Sequence, residues 1–165
     1  MIRTKDILDE KDPRVRAKNS DVEFPLCNEY KDIIPEMLKH LRYSQIEKLS
    51  KKYDLRPGMG LAAPQMGINK NFFVVCYEVS EGKFDDYILI NPKIISYSEE
   101  MIYAGEGEGC LSINRPTTGI VPRHARMTIE AYDINGKKYD IRVREELAVG
   151  FQHEMDHLEG ILFTD

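Results

Sequence analysis

The hydrophobic period of this chain changes near Gly67, and that change restricts the folds open to it more than any other feature. Before it, Ile34, Met37, Leu38 and Leu41 recur at i, i+3, i+4 and i+7, which is one face of a helix. After it come β-branched and aromatic runs over Phe72–Val79, Tyr87–Ile90, Ile94–Tyr97, Met127–Tyr132 and Lys138–Val143. Ser80-Glu81-Gly82-Lys83 separates the first two as a turn. Asn135-Gly136 separates the last two as a hairpin, because both residues tolerate positive φ. Glu145–Leu158 then reads as a helix again. Helix, strands and helix in that order predict an α+β fold, with mostly antiparallel sheets wrapped around a C-terminal helix.

The first helix has two uncertain edges. Asn28 can cap it, but Pro35 inside the run argues for a start nearer Pro35 or for a kink. The charged stretch from Glu47 to Lys52 reads as its continuation, ending before Pro57-Gly58. Lys5 to Lys18, polar and broken by Pro13, predicts short helical turns docked on the body.

With 165 residues, 42% of them hydrophobic, the chain can bury one core, and no repeat or linker divides it; one domain over residues 1–165 is expected. A net charge of −5 gives the chain as a whole no electrostatic affinity for nucleic acid. No apolar run approaches the roughly 20 residues that cross a membrane. Met1-Ile2-Arg3-Thr4-Lys5-Asp6 has no apolar stretch of the secretory kind, so the chain is expected to work in the cytoplasm; a monomer is also expected. Three cysteines do not form a disulfide framework. Cys76 sits in an apolar run and reads as a small hydrophobe, Cys27 is uninformative, and Cys110, among glycines and polar residues, is the one open to chemistry.

The chemistry concentrates in His153-Glu154-Met155-Asp156-His157. At 100° per residue His153, Glu154 and His157 fall at about 0°, 100° and 40°, one arc of a helix. Two imidazoles one turn apart can hold a divalent metal, and the neighbouring glutamate can reach water beside it. His40 and His124 lack such company and read as ordinary surface or partly satisfied residues. A third ligand downstream is unavailable, since Glu159 points to another side of the helix, so an upstream residue must supply it. Cys110 is the best candidate: a thiolate completes a two-histidine, one-cysteine set and leaves a position open. Gly58-Met59-Gly60-Leu61-Ala62-Ala63-Pro64-Gln65 places glycines where backbone can come close to a ligand and ends on an amide suited to an oxyanion. Gly105 to Ser112 is glycine-rich, but it carries two acidic residues and lacks the GK[ST] ending of a phosphate loop.

Taken together, Gly58–Gln65, Glu108–Ser112 and Gln152–Gly160 resemble, in order and spacing, the three signature motifs of the peptide deformylase family. The stretch around Ser44 to Arg56 looks like the longer, Gram-positive-type branch, and the few residues after the third motif agree with it. The resemblance implies a hydrolase that removes the formyl group from the N-terminal methionine of nascent polypeptides. It implies Cys110, His153 and His157 as metal ligands and Glu154 as general base and acid. Gln65 and the Leu111 N–H would polarise the formyl carbonyl. Gly58, Met59 and Gly60 would lie along the bound peptide, and Met59, Val149 and Gly150 would line an apolar pocket for methionine. It further implies Fe²⁺ as the natural ion, with Ni²⁺, Co²⁺ or Zn²⁺ able to substitute, and N-formylmethionyl peptides as partners. Transient ribosome association could use a basic patch at Lys48 to Lys52. Arg123 would pair with Asp156. At Gly150 the family more often has a larger apolar residue, so the pocket wall near Val149 is expected to differ. A zinc endopeptidase using the same helix would need the missing downstream ligand. A binding module with structural zinc would need a fourth ligand that neither Cys27 nor Cys76 is placed to give.

Overall fold

A computed structural model describes residues 1–165. Two single-turn 3-10 segments, Thr4–Asp6 and Pro13–Val15, open the chain, as the broken polar stretch predicts. Helix α1 spans Asn28–Ser44 and α2 spans Glu47–Tyr53. Strands β1 (Gly60–Ala62), β2 (Phe72–Ser80), β3 (Lys83–Tyr97), β4 (Met101–Ile102), β5 (Arg123–His124), β6 (Arg126–Tyr132) and β7 (Lys138–Arg144) precede helix α3, Glu145–Leu158. One five-stranded sheet runs β1-β2-β3-β6-β7 with every pairing antiparallel, and β4 and β5 form a separate antiparallel pair.

Strand β2 explains why two helical layers form. Its residues alternate between faces, and both faces are buried. Phe72, Val74 and Cys76 join Ile34, Met37 and Leu41 of α1 in one core, whereas Phe73 and Val75 join Ala148, Phe151 and Leu158 of α3 in another. Phe151 anchors the second, edge-on to Phe73 and Tyr87 at 5.5 Å from each. The sheet is thus the wall between α1 and α3, and β1 at its edge lies against α3.

Several sequence expectations need correction. Pro35 neither starts α1 nor ends it: the helix begins seven residues earlier, with Cys27 rather than Asn28 as its N-cap residue. Burial of Ile34, Met37, Leu38 and Leu41 outweighs the one backbone hydrogen bond that proline forgoes. The charged segment is a separate helix, because Ile46 is extended at φ −106° and ψ 111°. Tyr87–Ile90 and Ile94–Tyr97 belong to one long strand, β3, whose register shifts between Ile90 and Lys93. Asn91 takes φ 50° there, and its side chain both accepts from and donates to the Val22 backbone. In the β6–β7 hairpin only Gly136 has positive φ, while Asp133 Oδ1 accepts from the backbone N–H groups of Asn135 and Lys137. His40 is buried rather than superficial, with Nδ1 2.8 Å from the Ile2 carbonyl.

Tyr139 on β7 donates its hydroxyl to the Ile88 carbonyl of β3, and burial pushes its phenol up to about 12. The unfolded chain loses that proton near pH 10, the folded chain about two units later. Stability from this group is therefore complete below pH 10 and declines as pH rises toward 12. The stability advantage of wild type over Tyr139→Phe in denaturant titrations is expected to shrink by roughly 1 kcal/mol between pH 9 and pH 11. A constant difference across that range would refute the assignment.

Candidate metal centre

Strand β7 passes into α3 without a loop. Glu145 makes the corner at φ 56° and donates its N–H to the Ala125 carbonyl. This sets the rotation of α3 about its axis. At 100° per residue Ala148, Met155, Phe151 and Leu158 fall within about 140° to 220° of His153, the stripe packed on the sheet. Glu146, Val149, Gly150, Glu154 and His157 fall within about 100° of His153 on the opposite side, and most of that stripe lines a cleft of about 580 Å³. A helix with a core face and a polar buried face needs a second wall, and the loops around Gly58 and Cys110 supply it.

Cys110 Sγ lies 3.3 Å from His157 Nε2, and the two Nε2 atoms are 3.2 Å apart. Cys110, His153 and His157 keep their ligand atoms within 4.8 Å of one another. In a tetrahedral site with nitrogen near 2.05 Å and sulfur near 2.3 Å, adjacent ligand atoms stand about 3.3 to 3.6 Å apart. The three donors therefore fit one divalent ion with little movement. Burial pushes the His157 imidazole down to about 3, which keeps it a neutral lone-pair donor. Burial acts the same way on His153, but the Cys110 thiol and the Glu108 carboxylate outweigh it and raise that imidazole to about 10. Positive charge is thus favoured beside Cys110 and Glu108, and a metal cation supplies it as well as a proton does.

The surrounding groups hold the ligands in aim. Glu108 accepts from His153 Nδ1 at 2.9 Å and takes both Arg123 Nε and Arg123 Nη2 at 2.9 Å. Arg123 also pairs with Asp156 through Nη1, as the sequence led us to expect. Glu108 and Arg123 are nearly sealed from solvent, at 5% and 6% side-chain exposure. Burial alone would raise the Glu108 carboxyl; Arg123 and His153 bring it down to about 2. Sequence reasoning gave Glu108 no role. The signal was an acidic residue two positions before the one chemically open cysteine, and it was used only against phosphate binding. Ser112 and Gln152 were missed as well. Ser112 Oγ accepts from Gln65 at 3.0 Å, and Gln152 bonds both backbone groups of His124.

Glu154 is buried beside the ligands, with Oε1 lacking any protein partner and the carboxyl pushed up by burial to about 7. Gly60 backs directly against it: a Cβ there would collide with the carboxylate. Gln65 is also buried; its Oε1 accepts from Ala62 N–H and its Nε2 lies 3.7 Å from Cys110 Sγ. Leu111 N–H, next to Cys110, meets no protein acceptor. Gly58, Met59, Val149 and Gly150 all lie on the cleft wall. The sequence candidates therefore line one cavity, except His157, which is buried behind it against Cys110 and His153; His40 and His124 lie outside it. Three side chains able to hold one metal ion, beside a partnerless carboxylate in a cleft, are features found in metal-dependent hydrolases.

The comparisons narrow the class. The polypeptide deformylase family profile matches residues 4–165, so the chain belongs to that family. Its members remove the N-formyl group from the N-terminal methionine of nascent chains, and they depend on a metal. A peptide deformylase of Oceanobacillus iheyensis is 46% identical over all of this chain and 90% of its own length. Peptide deformylase 2 of Bacillus anthracis is 42% identical with the same coverage. Among solved structures, a plant peptide deformylase superposes with TM-score 0.80 at 34% identity, over 96% of this chain and 78% of that one. A Thermotoga maritima peptide deformylase gives 0.74 at 30% identity, over 96% and 94%.

Proposed function

We propose that residues 1–165 form one catalytic domain that hydrolyses N-formylmethionyl peptides at the cleft between α3 and the Gly58 and Cys110 loops. The observation that carries this reading is the partnerless Glu154 carboxylate beside Cys110, His153 and His157. A divalent ion held by those three residues would supply Lewis acidity and a water made acidic enough to react near neutral pH. Glu154 takes a proton from the attacking water, and a carboxyl near 7 suits that exchange. As the formyl C–N bond breaks, Glu154 returns the proton to the departing amine, leaving formate and a free N-terminus. The Leu111 N–H and the Gln65 amide donate to the formyl oxygen as charge develops on it, at about 3 kcal/mol per well-placed donor. Gly58, Met59 and Gly60 carry the peptide backbone, and Val149 and Gly150 with Met59 form the methionine pocket.

Fe²⁺ is the ion proposed, with Ni²⁺, Co²⁺ or Zn²⁺ able to replace it, since a thiolate and two imidazoles suit these metals. The thiolate also makes the site open to oxidation. The iron-loaded protein is expected to lose most of its formate-releasing activity on aerobic purification, and the nickel-loaded protein to keep it. Iron protein that stays active in air would contradict the assignment. The same reading makes the chain a cytoplasmic monomer acting on peptides as they leave the ribosome; no helix is long and apolar enough to cross a membrane. The direct test is formate release from formyl-Met-Ala by anaerobically prepared, metal-loaded protein. Rapid release supports the reading; none from the loaded wild type overturns it.

A further inference from the structure

The β6–β7 hairpin treats its two ends differently. Near its turn the charges are matched, with Lys138 paired to Glu130 at 2.9 Å. At the other end Arg126 and Arg144 stand directly opposite each other. Like charges so placed, with Cβ atoms about 5 Å apart, destabilise a hairpin. Arg142 lies two residues from Arg144 on the same face, in one row with Thr128 of β6 and Ser96 of β3. Met127, Ile129 and Val143 point the other way, into the core with Phe151, so all three arginines are exposed. Arg126 pairs with Glu100, an exposed contact of little strength, whereas Arg142 and Arg144 have no ion-pair partner. Protection of the edge strand β7 from aggregation explains charge there, but not one sign on both strands. With Ser96, Ser98 and Thr128 the arginines line a cavity of about 570 Å³, apart from the metal-site cleft, on a chain of net charge −5.

We propose that this face docks double-stranded RNA through its phosphate backbone. The inference is independent of the deformylase reading. Arginine meets phosphate with a planar fork of donors, and serine and threonine hydroxyls add contacts that read no sequence. Small-molecule pockets are lined mainly by apolar side chains, whereas only three of the nine residues lining this one are hydrophobic. Strands β3, β6 and β7 abreast are too wide for the major groove of DNA, which admits a helix or a two-stranded ribbon. A-form RNA offers instead a wide, shallow minor groove with 2′-hydroxyls between its phosphates. The arginines meet the phosphates, and Ser96 and Thr128 meet the 2′-hydroxyls. Charge elsewhere on the chain is screened beyond about 10 Å, so the local cluster decides. The arginine end of β7 is the end that leads into α3, and Glu146, two residues after Arg144, lines the cleft. A bound duplex therefore lies beside the cleft, not in it.

The test is fluorescence anisotropy with a labelled RNA duplex of about 16 base pairs and the DNA duplex of the same sequence. Wild type is expected to bind the RNA with Kd of about 10 μM near physiological salt. Affinity should fall about 40-fold between about 50 and 200 mM salt, the counterion release of three neutralised phosphates. The DNA duplex should bind at least about 10-fold more weakly, since it lacks the 2′-hydroxyls. Arg142→Ala with Arg144→Ala should weaken RNA binding at least about 10-fold and flatten the salt dependence by about two ions. Its thermal melt should match or exceed that of wild type, because a like-charge pair is gone. Arg142→Lys with Arg144→Lys keeps the charge and should keep the salt dependence, which guards against a folding defect in the alanine variant. Lys48→Ala with Lys51→Ala and Lys52→Ala, on α2, should leave binding within about 2-fold of wild type. No binding by wild type, unchanged binding by the double alanine variant or loss of binding in the α2 variant would overturn the assignment. Equal affinity for the DNA duplex, or displacement of the RNA by ATP at matched phosphate concentration, would overturn it as well.

Discussion

Glu154→Ala is expected to lower kcat for formate release by about 10³-fold, within the range that a positioned acid–base group provides, while metal content stays at one ion per chain. The carboxyl is not among the three converging ligand atoms, so its removal leaves them where they are. It is buried, and its Oε1 has no partner to lose. Stability should therefore hold or rise slightly, because an ionisable group is taken out of an apolar setting without orphaning another. Activity, metal analysis and a thermal melt on one preparation separate the possibilities. A variant that keeps a tenth or more of wild-type kcat would remove Glu154 from the chemistry. A variant that loses its metal would make Glu154 a structural support of the ligands.

Glu108→Ala should have the largest effect on stability. It leaves the Arg123 guanidinium, 6% exposed, with Asp156 as its one remaining acidic partner, and it strips His153 Nδ1 of its acceptor. Breaking a buried pair by deleting one member costs about 3 to 5 kcal/mol, which is roughly 10 °C in melting temperature for a chain of this size. With His153 as a proposed ligand, loss of the carboxylate behind it should also weaken metal affinity by about 10- to 100-fold. Denaturant titration of the metal-free protein isolates the first effect, and competition with a chelating dye measures the second. A stability loss below about 1 kcal/mol would mean that Arg123 finds solvent or another acceptor when Glu108 is gone. Glu108→Gln keeps the hydrogen-bond acceptor but removes the charge, so it should recover part of the metal affinity and little of the stability.

What could be read from the sequence was whatever depends on near neighbours along the chain. The bounds of α3 and the convergence of His153 and His157 follow from helical spacing alone, and the structure keeps both. Cys110 was reachable by elimination, because few residue types hold a metal and no downstream one was placed to serve. Glu108 was not reachable that way. Its role depends on Arg123 and His153 arriving from two other segments, and nothing within ten residues of it announces them. Pro35 misled for a related reason. Local propensity marks it as a break, yet the helix runs through it because buried Ile34 and Met37 on either side hold the backbone in line. Gly150 stood out in sequence as a departure from the family, and only its contact with Met59 gives the departure a physical cause.

The wall formed by β2 has a further consequence, in the order of assembly. The buried residues of the core beneath α1 run from Ile2 to Ile90, so most of its contacts can form early in the chain. The other core waits for α3, and with it wait the two imidazoles that complete the site around Cys110. Contacts between β1 and α3 span nearly a hundred residues, and closing so large a loop is slow relative to the local pairings that precede it. A copy in which α3 has not docked would leave Phe73, Val75 and Leu89 uncovered and hold Cys110 without its two imidazoles. An ion held by these three residues would act as a latch on the last unit to dock, and chelation should loosen α3 in hydrogen exchange well before it disturbs the amides of α1.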